Sequence, residues 1–103
     1  MRLDSTTIPA ILAPLLLLSS CCKKDEIPSM TSSLYSSNAR DRNDAALGLA
    51  RCGTNAADAV PKLGSLLYDD NVAVQSAAAY ALRQIDTPEA RAILDRAEAA
   101  RRR

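Results

Sequence analysis

Ile27–Ala59 (IPSMTSSLYSSNARDRNDAALGLARCGTNAADA) and Val60–Ala92 (VPKLGSLLYDDNVAVQSAAAYALRQIDTPEARA) are the two stretches that decide the fold of this chain. They align without a gap at an offset of 33 residues, and 11 of the 33 aligned pairs are identical. Composition alone gives roughly three or four identical pairs. A repeat of this length is typical of a solenoid or array. The identical pairs are Pro28/Pro61, Ser32/Ser65, Leu34/Leu67, Tyr35/Tyr68, Asn38/Asn71, Ala45/Ala78, Ala46/Ala79, Leu49/Leu82, Thr54/Thr87, Ala57/Ala90 and Ala59/Ala92.

Each stretch predicts a hairpin of two helices. In the second stretch, apolar residues recur at helical spacing on both sides of the turn signal Asp69-Asp70-Asn71, whose side chains bond nearby backbone groups. We interpret Asp69 and Asp70 as carboxylates of a solvated turn. The predicted core face of the second helix consists of Val74, Ala77, Ala78, Ala81, Leu82 and Ile85.

Helix-ending and helix-starting residues complete the pattern. Gly53, directly before Thr54, is a natural left-handed stop for the second helix of the first unit. Cys52, which aligns with Ile85, is predicted to be a buried structural thiol. Thr87 and Pro88 predict the start of one further helix. Its partly polar surface suits a cap, with Ile93 and Leu94 as its buried contact.

The sequence therefore predicts an all-α protein, a short α-solenoid of antiparallel helix pairs with about two and a half repeats. The expected domain covers residues 27–103, with repeats at 27–59 and 60–92 and a capping helix at 88–103. Two and a half units bury little apolar area, so self-association is an expected source of stability.

These residues resemble the HEAT repeat, particularly its short form related to phycobilisome-lyase subunits. The strings that carry the resemblance are AVPKLGSLLYDDNVAVQSAAAYALRQI and, more weakly, NDAALGLARCG, and it covers about residues 25 to 98. Pro61 matches the proline that bends the first helix of many such units, and Asp69, Asn71 and Val74 match the family's pattern around the turn.

The resemblance also leads us to expect a weak junction between the units. Family members often carry an Asp–Arg ladder from unit to unit, whereas here Ser36 stands at the position of Asp69, and Gln75 at the position of Arg42. We expect the ladder to be broken and the first unit to stack loosely on the second. Tyr35 and Tyr68, at equivalent positions, are expected to be packing residues, with an exposed aromatic ladder as the alternative.

The N-terminal segment predicts an export signal, residues 1–20, followed by an anchor and short linker at 21–26. The apolar run Ile8–Leu18 has eleven residues, which is too short to span a bilayer and suits the central part of a signal peptide. Leu18-Ser19-Ser20-Cys21 resembles the bacterial lipobox, which implies that Cys21 is the site of lipid attachment. Acyl chains on Cys21 would hold the chain at a membrane.

Two alternatives remain at this point: a cleaved signal without a lipid, which gives a secreted or periplasmic protein, and a core helix formed by the apolar run. The preferred localisation is the cell envelope, as a membrane-anchored lipoprotein. Three cysteines do not predict a disulfide framework here, and Cys22 is interpreted as an unmodified thiol.

Composition excludes several functions. The chain has 103 residues, with 13 Lys and Arg, 12 Asp and Glu, and no His, so it has no nucleophile relay through His and no His-ligated metal. We expect no catalytic residues, no metal, no cofactor and no small-molecule substrate. We also expect no nucleic-acid partner, since the net charge is only +1.

The predicted function is a non-catalytic scaffold or adaptor that binds a protein partner, with membrane contact through the lipid on Cys21. One alternative is an accessory subunit of the lyase type, which rests on analogy of fold alone. Another is that the chain is a truncated piece of a longer repeat protein.

Overall fold

The computed structural model describes residues 22–103, and these residues form helices connected by turns, with no strand among them. The α-helices are α1 (Ile27–Ser33), α2 (Ala39–Ala50), α3 (Val60–Leu66), α4 (Val72–Ile85) and α5 (Pro88–Arg101). Two 3-10 segments, Lys24–Glu26 and Gly53–Ala59, precede α1 and α3. The predicted all-α class is confirmed.

The helices are arranged in two layers. Helix α1 packs on α2, α3 packs on α4, and α5 packs on both α3 and α4. The most extensive contact joins α2 to α4, which are the second helices of the two units. One layer therefore holds α1, α3 and α5, and the other, which we call the inner layer, holds α2 and α4. This is the short solenoid that the repeat predicted.

The core lies between the layers and is built from the residues that the periodicity selected. All six residues predicted for the core face of α4 are buried. Ala contributes many of the remaining core positions, and its small side chain lets helices approach closely while burying little area. The largest fully buried side chains are Leu34, Leu49, Leu63, Leu82, Ile85, Val60 and Val74.

Helix starts in the two units are fixed by the same side chain. The Asn38 side-chain oxygen accepts a hydrogen bond from the backbone N–H of Arg40 at 2.9 Å, and that of Asn71 accepts one from Val74 at 3.2 Å. The predicted cap at Thr87 is also present, since its hydroxyl accepts from the N–H of Ala90 at 3.1 Å. Each cap satisfies a backbone donor that the helix leaves unpaired.

Helix ends repeat as well. Gly53 has φ +54°, and Asp86, one repeat later, has φ +53°. The left-handed stop predicted at Gly53 is confirmed, and the second unit makes the same turn with an aspartate, a residue that tolerates this region less well than glycine. The two units therefore share this left-handed turn, although a different residue occupies it in each.

Helix α5 follows the second unit and packs on α3 through a close contact. A Cβ built on Gly64 would lie 3.2 Å from side-chain atoms of Ile93. Ile93 and Leu94 are each half-buried, so the predicted contact of the capping helix exists but is only partly covered.

The junction between the units differs from the prediction. Arg42 of α2 donates to the Asp69 carboxylate at 2.9 Å and to the backbone carbonyl of Ser36 at 2.8 Å. The expectation that the Asp–Arg ladder is broken was wrong. The ion pair that joins the two units is formed by Arg42 of the first unit and Asp69 of the second, and both are present; we call this pair the rung. The positions that depart from the family pattern, Ser36 and Gln75, are not members of this rung.

The same geometry corrects the interpretation of the turn carboxylates. The side chain of Asp69 is only 6% exposed and that of Arg42 only 14%, whereas Asp70 is 96% exposed. Asp70 is therefore a solvated turn residue and Asp69 is a structural partner of Arg42. Gln75 donates from its side-chain nitrogen to the backbone carbonyl of Asp69, as Arg42 does to Ser36 one unit earlier.

We expect Arg42→Met to destabilise the protein by about 3 kcal/mol, because it leaves the Asp69 carboxylate buried without its charged partner. Adding Asp69→Asn should recover part of the loss, with a coupling energy of at least about 1 kcal/mol between the two sites. Denaturant unfolding followed by circular dichroism measures both quantities.

Arg91→Met is the matched control. Arg91 pairs with Asp86 at 2.9 Å, but both side chains are more than half exposed, so its loss should cost less than about 1 kcal/mol. Equal effects of the two Arg substitutions would contradict the assignment of Arg42 to the junction.

Candidate interaction surfaces

The solvent-exposed face of the inner layer, formed by α2 and α4, carries a pair of exposed apolar side chains. Leu47 on α2 is 37% exposed and Tyr80 on α4 is 46% exposed. They stand 33 residues apart, at the same position of consecutive units, so the repeat places them on one face of adjacent helices. We call Leu47 and Tyr80 the inner-face pair. Arg40 in the first turn of α2 and Arg51 directly after its last residue are both exposed and lie on either side of Leu47 in the sequence.

The two equivalent tyrosines before the turns are exposed rather than packed. Tyr35 is 68% and Tyr68 69% exposed, so the expectation that they fill the core was wrong. Leu34 and Leu67 take the buried positions just before them. The ammonium of Lys62 lies 4.4 Å from the centroid of the Tyr35 ring, a cation–π contact between the units.

The C-terminal end of the solenoid contains a cleft between α4 and α5. Its volume is about 250 Å³, and an adjoining cleft of about 390 Å³ extends it towards Tyr68. Leu67, Ala97 and Arg101 line both. We call the two together the end cleft; the other lining residues are Ala79, Arg83, Leu94, Asp95 and Glu98 in the first, and Tyr68, Gln75 and Ala100 in the second.

A disulfide closes the opposite end. Cys22 and Cys52 are bonded, with their Cα atoms 4.8 Å apart and a sequence separation of 30 residues. Cys52 is buried, as its alignment with Ile85 predicted, but it is half of a disulfide and not a free thiol. The prediction that Cys22 is an unmodified thiol was wrong for the same reason. The bond ties the segment before α1 to the end of α2.

The described residues contain no group of three or more His, Cys, Asp or Glu placed to hold a metal ion. The acidic side chains at the unit junction are occupied by Arg42. The hydroxyl of Ser33 donates to the backbone carbonyl of Ser29, and that of Ser36 donates to Asp41 and accepts from the backbone N–H of Asn38. In this part of the chain the geometry offers surfaces for contact rather than an assembled set of reactive groups.

The predicted signal at 1–20, its core-helix alternative over Ile8–Leu18, and the lipid-attachment residue Cys21 lie outside the described residues. Between residues 22 and 103, none of the helices has the length and apolar character needed to cross a membrane.

Sequence reasoning missed the disulfide and the end cleft. The signal for the disulfide was an odd cysteine count in a chain for which an export signal is predicted: one cysteine assigned to the lipid leaves two for pairing. The cleft had a weaker signal, namely the single helix predicted after the second repeat.

We expect loss of the disulfide to destabilise the protein by about 3 to 4 kcal/mol, because closing a loop of this length restricts the unfolded chain. Dithiothreitol should therefore lower the melting temperature of the wild type and leave that of the Cys22→Ala/Cys52→Ala variant unchanged. Differential scanning calorimetry with and without reductant makes the comparison. A wild-type melting temperature indifferent to reductant would contradict the bond.

Comparison with known families gives one match over the region just described. The family model for HEAT repeats matches residues 27–102, which covers both helical hairpins and α5. A search of the curated proteins and a search of the solved structures find no match. Both the matched range and the two-layer stack of helix pairs agree with the resemblance seen in the sequence, and the chain belongs to the family of HEAT repeats.

Proposed function

We propose that this chain is an exported, lipid-anchored scaffold that binds another protein through its inner layer and performs no catalysis. Its proposed location is the cell envelope, with Cys21 as the acylated residue. HEAT repeats commonly mediate contacts between proteins and are generally non-catalytic. The lyase-related subtype and the domain boundaries at 1–20 and 21–26 stay predictions from the sequence.

The observation that carries the binding role is the inner-face pair. Leu47 and Tyr80 are large side chains that the fold exposes at repeated positions on the two helices that pack most extensively. An aromatic or aliphatic anchor flanked by arginines is typical of the centre of a protein interface. Arg40 and Arg51 supply such a rim at the two ends of α2.

The use of the three cysteines supports export. Disulfides persist in oxidising compartments and are rare in the reducing cytosol, so the Cys22–Cys52 bond suits a protein outside the cytosol. Cys21 is then the one cysteine left for a lipid. Because Cys22 follows Cys21 directly and is bonded to the folded unit, a lipid on Cys21 would hold the solenoid close to the membrane surface.

For the anchor, we expect the full chain expressed in a bacterial host to yield a mature protein that begins at Cys21 and carries a diacylglyceryl group. Intact-mass spectrometry of the purified membrane fraction measures this. In the Cys21→Ala variant the lipid mass should be absent, while the Cys22–Cys52 bond should still form, as read by peptide mapping. An intact Met1, or a mature chain without added lipid mass, would overturn the anchor.

For the binding surface, we expect Leu47→Asp/Tyr80→Asp to abolish partner recovery in affinity purification from envelope extracts, because a charge in an interface core is strongly unfavourable. Tyr35→Asp is the matched control, since Tyr35 is more exposed and faces Lys62 rather than the inner layer. If the double variant recovered the same partners as the wild type and as Tyr35→Asp, the inner face would not be the binding surface. Thermal melting of all three chains checks that each is folded.

A further inference from the structure

The exposed side of α2 is cationic along the line that contains Leu47. Steps of three or four residues from Leu47 reach Asn43, Arg40 and Arg51, which therefore share its side of the helix. Arg40 and Arg51 are exposed, and Asn43 is half-buried. About 16 Å of helix axis separates the two arginines, because each residue adds ~1.5 Å.

The carboxylates of α2 are turned towards α1 rather than towards α4. Asp41 and Asp44 line a cleft together with Met30 and Ser33 of α1. The carboxylate of Asp41 also accepts a hydrogen bond from the hydroxyl of Ser36 at 3.1 Å. Asp44 therefore marks the edge of the exposed face on the α1 side, and the part next to α4 keeps its positive sign.

Helix α4 adds no negative charge to this face. Its only charged residue is Arg83, which is exposed. Ser76 and Gln84, both exposed, stand about one helical turn on either side of Tyr80. Their hydroxyl and amide groups can donate hydrogen bonds to carboxylates.

The acidic residues that flank α4 already face arginines. The carboxylates of Asp69 and Asp70 lie 2.9 Å and 3.6 Å from the guanidinium of Arg42. Beyond the other end of α4, Asp86 pairs with Arg91 at 2.9 Å. These carboxylates therefore do not neutralise the arginines of the exposed face.

Clefts at the two ends of α2 have the same sign. A cleft of about 260 Å³ lies between the first turns of α2 and α4, where Arg40 and Asn71 are among its lining residues and none of the lining residues is acidic. The backbone dipoles of both helices add positive potential there. Beside the disulfide, Arg51 and Lys23 line a second cleft with Glu26, so positive groups outnumber negative ones.

An apolar centre bordered by arginines is complementary to an apolar stripe bordered by carboxylates. We propose that the inner layer binds an acidic amphipathic helix of another protein. Apolar side chains of that helix cover the inner-face pair, and its Asp or Glu residues face Arg40, Arg51 and Arg83. Helix-in-groove docking supplies the apolar contact, and the charges select the partner. The pairing rests on the binding role proposed for the inner layer and adds the chemistry of its partner.

Two synthetic helices test the charge of the partner. Both are Ala-rich peptides of about 20 residues with a stripe of Leu at helical spacing. One carries Glu at the positions that border the stripe, and its twin carries Lys there. Surface plasmon resonance on the full chain in mild detergent, read against a surface without protein, measures the dissociation constants.

At about 0.1 M salt, the Glu helix should bind at least ~10-fold more tightly than the Lys helix. At about 1 M salt the preference should fall below ~3-fold, because the screening length shrinks to ~3 Å.

Arg40→Glu/Arg51→Glu should abolish or reverse the preference for the Glu helix, because like charges then face each other. Arg96→Glu/Arg103→Glu is the matched control, since it changes the net charge equally at exposed positions on and just after α5. The control should keep the preference. Circular dichroism of every variant checks the fold.

Four results would overturn the acidic partner: a Lys helix that binds as tightly as the Glu helix, a Glu helix that binds no tighter than about 1 mM, an equal loss in the control variant, or a Glu peptide without Leu or a single-stranded oligonucleotide that binds as tightly as the Glu helix.

The binding role itself fails in a different way. If Leu47→Asp/Tyr80→Asp bound the Glu helix as tightly as the wild type, the inner layer would not be the binding surface. If that variant lost its partners from envelope extracts while the wild type did not prefer the Glu helix, only the acidic partner would be refuted.

Discussion

Everything in this structure depends on one constraint: a single helical hairpin of this size cannot bury its apolar face, and must pack against the next one. The contact of α2 with α4 meets that need with small side chains that permit close approach. Arg42 and Asp69 add a charged tie at the edge of this contact, where both groups are shielded from solvent. The same constraint explains why Ala79 of α4, which no described helix covers fully, is only half-buried.

The first and last described helices are held to their neighbours by different kinds of contact, a disulfide in one case and side-chain packing in the other. Before α1, the Cys22–Cys52 disulfide holds the preceding segment against the end of α2 with a covalent bond. At the C-terminal end, α5 covers α3 through Ile93 on Gly64 but leaves Ala79 of α4 half-buried. The disulfide restrains helix pairs whose shared core is built largely from alanine.

Local patterns predicted most of the fold because the residues that define them act within one turn of helix. Asn71 and Thr87 cap the helices they precede, and Gly53 adopts the left-handed conformation that stops α2. Predictions failed where a distant residue decided the outcome. Asp69 was predicted to be a solvated turn residue, yet its carboxylate is buried against Arg42, which lies 27 residues earlier in the chain.

The sequence by itself determined the class, the repeat, the helix pairs and their caps, because a 33-residue period and an apolar face at helical spacing leave few other structures. The tertiary structure alone decided which partners meet. It brought Arg42 to Asp69 across 27 residues and Cys22 to Cys52 across 30, and it left the end cleft uncovered. Such contacts depend on how one unit rotates against the next, a property of packed surfaces that no local window of sequence encodes.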